Sequence, residues 1–413
     1  MPIAETVYTL ALSAARPLLP LAARGEGKLA RGVRGRRGVL ERMAAWAAAE
    51  RDPSRPLVWF HAPSVGEGLQ ARAVVEALRA RRPELQVAYT YFSPSAESFA
   101  RTVAADFADY LPFDLAGDVG RALDLLKPTA ILFSKTDVWP VLTREARARE
   151  VRLALLSATL PASSSRLGGV ARAMLAPAYS RLSLVAAISA ADADRFAALG
   201  VAPERRVVMG DARFDQVWDR ARKTNESLLA PFAATRARTL VAGSTWPADE
   251  DHLVPAVAGL GIRLVLVPHE PTPAHLARAE AALAAHGLEH ARLSAIEQGA
   301  PVPAVTLVDR TGVLGDLYAL ADVAYVGGGF GTAGLHSVLE PAAFGAPVLF
   351  GPRHANAREA GELLALGAAR EVRDAATLAA ALRTPPDGAA ARRYVEENRG
   401  AAERGAEIVE RLL

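Results

Sequence analysis

Cysteine is absent from the 413 residues. That excludes disulfides, thiolate metal sites and cysteine nucleophiles, and it fits a reducing compartment. Other signatures are missing too. No G-x-x-x-x-G-K-[ST] phosphate loop occurs, and His61, His269, His275, His286, His290, His336 and His354 show no H-x-x-x-H helix pair with an adjacent acid, so no metal cofactor is expected. There is no short-period repeat and no long low-complexity tract. Neither charge dominates: 48 Lys and Arg stand against 45 Asp and Glu, a net +3, and no nucleic-acid partner is expected from such a balance.

The charge that is present is unevenly placed. Residues 24–42 hold Arg24, Lys28, Arg31, Arg34, Arg36, Arg37 and Arg42 against only Glu26 and Glu41. Directly before them runs VYTLALSAARPLLPLAA, residues 7–23, which is apolar except for Tyr8, Thr9, Ser13 and Arg16. Arg16 and the breaks at Pro17 and Pro20 make it a poor membrane span. It is not a cleavable signal either, because the basic block follows the apolar run. Two readings fit residues 1–50: a segment lying in the interface of an anionic membrane, facing the cytoplasm, or a helical hairpin packed on the body of the protein.

From residue 51 the chain alternates short apolar runs with helical periods, the pattern of a doubly wound α/β fold. PLVWFHA, QVAYTY, TAILFS, RLALLS, LVAAIS and RVVMG read as strands of a first domain, 51–210. A polar stretch, DRARKTNES (219–227), carries no strand and no clear apolar period. The alternation restarts with TLVAG, RLVLVP, AVTLVD, VAYVGG, PVLFG and AREVR, strands of a second domain, 211–388. Residues 389–413 read as one helix that crosses back to the first domain. Two such domains imply a cleft between them. In open parallel sheets, ligands collect beyond the carboxyl ends of the strands.

The strand-end loops are rich in glycine and small polar residues, and they hold the candidate chemistry. HAPSVGEG (61–68) places Glu67 between two glycines at a strand–helix seam, where it is either a first-turn helix acid or a general base. SKTDVWP (134–140) offers Lys135 and Asp137, as a pair at the cleft or as a structural pair at a strand end. SATLPASSSR (157–166), MGDARFD (209–215), AGSTWPADED (242–251) and VPHEPTP (267–273) add anion-binding turns. The segment 325–359 contains Gly329, Gly331 and Gly334 in G-x-G-x-x-G spacing, but no acid ends the next strand, as a dinucleotide site requires. The glycines do let backbone N–H groups approach a phosphate or carboxylate at a helix start. Glu340 is either an exposed helix acid or an acceptor for hydroxyls such as those of a ribose.

Taken in order, these motifs resemble those of the Kdo (3-deoxy-D-manno-octulosonic acid) transferases of lipid A assembly. HAPSVGE is similar to that family's H-x-x-S-[VI]-G-E box, GDARFD to G-[DN]-x-[KR]-[FY]-D, AGSTWPADE to its G-S-[ST] segment, and GLHSVLEPAAFGAPVLFGP to its late histidine–glutamate box. The resemblance covers almost the whole chain. It implies a GT-B glycosyltransferase fold, two Rossmann-like domains facing a central cleft. The donor it implies is CMP-Kdo, with no metal or other cofactor. The acceptor is a lipid A precursor (lipid IVA), and transfer inverts the anomeric carbon. It places the enzyme among anionic lipids at the cytoplasmic face of the inner membrane.

On these motifs Glu67 and Asp137 are catalytic, and Ser64, Gly66 and Lys135 contact the acceptor. Arg213, Ser244, Thr245, His269, Gly329, Gly331, Gly334, His336 and Glu340 serve the donor. Two positions depart from the common pattern. Lys135 stands where many members carry an acid, with Asp137 one methylene shorter than the usual second acid. His269 and Glu270 stand where many have Arg-His. The first departure bears on how the acceptor is held and on how many sugars are added. Two other classes share parts of the pattern: another GT-B enzyme, such as a UDP-sugar transferase or 2-epimerase, and a catalytically silent membrane-bound protein. An epimerase needs neither the basic apolar N-terminus nor the SVGE loop, and a silent binder does not need Glu67.

Overall fold

The computed structural model describes residues 3–233 and 237–413. The first two residues of the N-terminal segment, and residues 234–236 beyond the polar stretch, lie outside the described residues. The chain forms two compact units, Met1–Gln216 with Arg399–Leu413, and Val217–Asn398.

The first unit is built on seven strands: β1 (Leu57–His61), β2 (Gln86–Tyr91), β3 (Phe107–Tyr110), β4 (Ala130–Ser134), β5 (Arg152–Ala158), β6 (Leu184–Ala187) and β7 (Arg206–Val208). All pairs are parallel and the order is β3-β2-β1-β4-β5-β6-β7. Every residue of β1, β2 and β4 is buried, as expected of parallel strands covered by helices on both faces. The order reverses between β1 and β4, so their carboxyl ends form the crevice where such sheets bind ligands.

The second unit repeats the plan with β8 (Thr239–Thr245), β9 (Arg263–Pro268), β10 (His290–Arg292), β11 (Val305–Leu307), β12 (Val323–Val326), β13 (Val348–Phe350) and β14 (Ala369–Glu371). These are also all parallel, in the order β10-β11-β9-β8-β12-β13-β14. Its reversal lies between β8 and β12. Two strands escape the sequence reading, β3 and β10. Both are sheet edges, and FADY and HAR are too short and too polar to give an apolar run.

The C-terminal segment corrects an expectation. Residues 389–413 are not one helix but belong to two, Gly388–Glu397 and Ala401–Arg411, separated at Gly400 with φ 90°. That left-handed turn is open to glycine at little cost. Asp215 fixes it by accepting from the N–H groups of Gly400 (2.6 Å) and Ala402 (3.0 Å). The last helix packs on Val65–Arg81, where a Cβ on Gly405 would come within 2.9 Å of Val74.

At the other end, the helix Ile3–Ala15 is tied down by polar contacts. Glu5 is fully buried, with Arg181 at 2.6 Å and Arg144 at 3.5 Å, and the Tyr8 hydroxyl donates to Asp114 at 3.0 Å. Val7 and Leu10 of this helix, and Leu18, Leu21 and Leu29 in the short helices after it, are each more than half exposed. Among the described residues no helix is long and apolar enough to cross a membrane.

Candidate active site

The first crevice gathers Glu67, Ser64 and Lys135. Glu67 is the third residue of the helix Val65–Arg81, for which Ser64 is the N-cap in extended geometry (φ −139°). S-x-x-E at a helix start is the sequence of a capping box, but no capping bond forms. The Ser64 hydroxyl instead donates to the Glu67 carboxylate. The other carboxylate oxygen accepts from the Lys135 ammonium at 3.0 Å. Glu67 is therefore held by side chains rather than spent on the helix end.

Local backbone explains the placement. Lys135 follows β4 in a left-handed conformation (φ 69°), which its N–H to Leu156 (2.9 Å) and its carbonyl to Thr159 (3.0 Å) hold in place. Gly68 lets the first helical turn press on β2, since a Cβ there would lie 2.5 Å from the Phe99 ring and 2.8 Å from the Tyr89 hydroxyl. Gly66 is loosely packed, with the Ser64 hydroxyl, 4.0 Å from a Cβ there, its nearest neighbour, and leaves room for a ligand. Burial raises the Glu67 pKa, but the Ser64 hydroxyl and the Lys135 ammonium outweigh it and hold the carboxyl below its ordinary value. The group is ionised at neutral pH.

Lys135 and Asp137 do not pair with each other. Asp137 binds Arg166 at 2.5 Å, in the turn Ser165–Leu167. Arg166 was hidden in the small-residue loop SATLPASSSR, where only its isolated charge marked it. His61 is fully buried. Its Nε2 accepts from Trp139 at 3.0 Å, so its Nδ1 carries the proton and donates to Thr90 at 3.0 Å. Burial, with Arg36 adding to it, pushes its pKa down to about 3. It is a neutral brace for the loop 134–140.

The second crevice holds a cavity of about 300 Å³ lined by Arg220, Ser244, Gly312, Leu314, Gly315, Tyr318, His336, Ser337 and Glu340. Three of the expected donor residues meet there: Ser244, at the end of β8 with φ 53°, His336 and Glu340. Glu340 is not an exposed helix acid. It stands in the cavity wall, and burial pushes its carboxyl up while Arg220 pulls it down, with burial prevailing. Tyr318 seals the floor. It fits because residue 243 is glycine, where a Cβ would lie 2.2 Å from the Tyr318 hydroxyl.

His269 joins from the side, its ring 4.3 Å from His336 and 4.9 Å from Trp246. Trp246 Nε1 donates to His336 Nε2 at 3.3 Å, which assigns the His336 proton to Nδ1. Burial and the neighbouring His269 lower the His336 pKa.

Several expected donor residues sit elsewhere. Thr245 is fully buried and its hydroxyl turns inward to Glu250 at 2.9 Å. Arg213 belongs to the first unit, and its guanidinium grips Asp211 through Nε (2.9 Å) and Nη2 (2.7 Å). Gly329 is buried against Gly351, whose nitrogen would be 2.6 Å from a Cβ, so its glycine serves backbone packing. Gly334 (φ 84°) turns the loop beside Asn356, which accepts from Leu335 N–H at 3.0 Å. Gly331 alone of the three is loosely packed, with Ala333 N, 3.9 Å from a Cβ there, its nearest neighbour.

No helix follows at Leu335 as the pattern suggested. It begins at Leu339 and lasts to Ala343. Arg220, Gly312, Tyr318 and Ser337 went unread. Arg220 lies in the polar stretch 219–227, Gly312 and Tyr318 sit in segments without a motif, and Ser337 stands inside the late histidine–glutamate box beside His336. Among the described residues no cluster of three or more His, Asp or Glu is placed to hold a metal ion.

A family model described as 3-deoxy-D-manno-octulosonic-acid transferase (kdotransferase) matches residues 36–216. The chain is 31% identical over 434 aligned positions to the 3-deoxy-D-manno-octulosonic acid transferase of Bordetella pertussis, covering 98% of this chain and 99% of that one. To the Haemophilus influenzae enzyme of the same name it is 28% identical over 329 positions, 76% of this chain and 75% of that one. Among solved structures it resembles a UDP-GlcNAc 2-epimerase from Neisseria meningitidis (TM-score 0.60, 12% identity, 87% of this chain and 99% of that one). It also resembles a glycosyltransferase from Rickettsia africae (TM-score 0.57, 13% identity, 87% and 98%). At such identities these likenesses speak for the fold, which is GT-B. The near full-length match to the Bordetella enzyme goes further: this chain is a glycosyltransferase and belongs to the family of 3-deoxy-D-manno-octulosonic acid transferases.

Proposed function

We propose that this glycosyltransferase moves Kdo from CMP-Kdo onto a hydroxyl of a lipid A precursor, with Glu67 as general base. The observation that carries the reading is the Glu67 carboxylate at the β1–β4 crevice, ionised and oriented by Ser64 and Lys135. In the proposed step the acceptor O–H gives its proton to Glu67 while its oxygen bonds to the anomeric carbon. The bond from that carbon to the CMP phosphate breaks, and its electron pair leaves with CMP. Attack from the face opposite the leaving group inverts the centre.

Lys135, with its side chain 44% exposed, has N–H donors left for a phosphate of the acceptor. Asp137, tied to Arg166, positions the loop that presents Lys135. On the donor side, Glu340 suits ribose hydroxyls, and Ser244 and Ser337 line the same cavity. Glu67→Gln should cost about 10²–10⁴-fold in turnover, the usual worth of a general base, with CMP binding intact. Mass spectrometry of product formed from CMP-Kdo and the lipid precursor measures it. Full activity of Glu67→Gln would sink the assignment.

The acceptor reading also gives a purpose to the N-terminal segment. Its open apolar side chains stand beside Arg24, Lys28, Arg31 and Arg37, which suits an interfacial attachment to the cytoplasmic face of an anionic membrane. The protein should float with anionic vesicles at low salt, and Leu10→Glu with Leu18→Glu should release it. Failure of the wild type to bind such vesicles would refute the attachment.

A further inference from the structure

With Arg213 committed to Asp211, the phosphate of the donor needs another cation, and the second unit contains one that its own contacts leave incomplete. Arg220 lines the 300 Å³ cavity and is, among the described residues, the one arginine or lysine that does. Its Nη2 makes a long contact to Asp316, 3.4 Å. Its Nε is buried without a hydrogen-bond partner. A buried N–H of a charged group is costly to leave unmade, and a ligand acceptor would repay that cost.

The backbone is shaped around this guanidinium. A Cβ on Gly315 would lie 2.1 Å from Arg220 Nε and 2.7 Å from its Cζ, so only glycine lets the fork lie against that segment. Ser244 and Ser337 line the same cavity as the fork, and Glu340 supplies an acceptor for neutral hydroxyls. The volume is at the lower end for small-ligand pockets, about 300–1,000 Å³. Arginine's planar fork matches a phosphate through paired N–H donors.

We infer that Arg220, seated over Gly315, binds the phosphate of the donor nucleotide in this cavity. This rests on the reading of the chain as a CMP-sugar transferase and adds to it the residue that recognises the leaving group. During transfer the same contact would take up the negative charge that grows on the departing phosphate.

Calorimetric titration of the full-length protein with CMP and with cytidine separates the phosphate contact from the rest of the site. Arg220→Met should weaken CMP binding about tenfold or more, the loss expected for a hydrogen bond to a charged group, and leave cytidine unchanged. The preference for CMP over cytidine then collapses. Arg220→Lys should restore part of it. Gly315→Ala should reproduce the loss with the arginine present, because its methyl displaces the guanidinium; it also covers the case in which Arg220→Met folds poorly by circular dichroism.

Unchanged CMP affinity in Arg220→Met would overturn the inference. Equal losses for CMP and cytidine would do the same, since they would mark Arg220 as a structural residue. A loss confined to CMP-Kdo, with CMP unaffected, would move the contact to the sugar carboxylate and also overturn it. A wild-type protein that binds no CMP at all would overturn the donor reading first, and this inference with it.

Discussion

Each unit places one carboxylate at the point where its strand order reverses, and the two are tuned in opposite directions. Glu67, beyond β1, is partly buried, but a hydroxyl and an ammonium reach its oxygens and hold its pKa down. Glu340, beyond β12, has only the charge of Arg220 to set against burial, and its pKa rises. On the proposed function, the same fold makes a proton acceptor in one place and a hydroxyl-binding group in the other. Topology fixes where a ligand goes, and the immediate neighbours fix what the acid there can do.

The largest effect that tests this contrast comes from the same substitution at both sites. Glu67→Gln removes the base and should lower turnover by about 10²–10⁴-fold. Glu340→Gln keeps an acceptor oxygen for hydroxyls and should change the Michaelis constant for CMP-Kdo more than turnover. Steady-state kinetics of both variants compare them directly, and equal loss of turnover would erase the distinction.

Lys135→Met is the next step down. Its ammonium favours ionised Glu67, so without it the carboxyl titrates at higher pH and the acid limb of the kcat/KM profile should move upward. Ser64 still faces the carboxylate; of the other titratable groups that sense its charge, Tyr89 stays neutral and His61, pushed down to about 3, charges only toward the acid end of that limb. An acid limb that stays in place would mean that Lys135 serves the acceptor without tuning the base.

Much of this arrangement was legible beforehand, and the limits have physical causes. Buried parallel strands announce themselves as apolar runs, so the twelve strand segments named from the sequence all recur, while edge strands β3 and β10 do not carry that signal. Glu67, Ser64, Lys135 and Glu340 were readable because they sit in compact boxes at strand ends. Arg220 was not, because an arginine among polar residues looks solvated until Gly315 and Asp316 are folded against it. Thr245 and Gly329 looked like ligand-binding positions. One turns its hydroxyl to Glu250 and the other packs on Gly351, and those partners lie on the same unit but in other elements. Local pattern marks which residues have unusual chemistry; which way they face depends on packing that the pattern does not contain.

The smallest effect is on stability, and it sets the two acids against each other without any substrate. Glu340 has a pKa above its ordinary 4.5, so the folded protein holds that proton more tightly than the unfolded chain. Its stabilising contribution is complete below the unfolded pKa and is lost as pH rises through the folded one. Glu67 runs the other way: its contribution is present above the unfolded pKa and is lost as pH falls through the folded one. Glu340→Gln removes the first titration, so its melting temperature relative to wild type should rise by a few degrees at most between about pH 4.5 and pH 8. Glu67→Gln should lose ground to wild type over a more acidic window, as pH rises from below the folded pKa of Glu67 to just above its ordinary 4.5, because the wild type gains the ionised, paired carboxylate there. Calorimetry of each variant against wild type across its own window gives two differences of opposite sign. Two differences of the same sign would mean that burial, not the neighbours Ser64 and Lys135, governs Glu67.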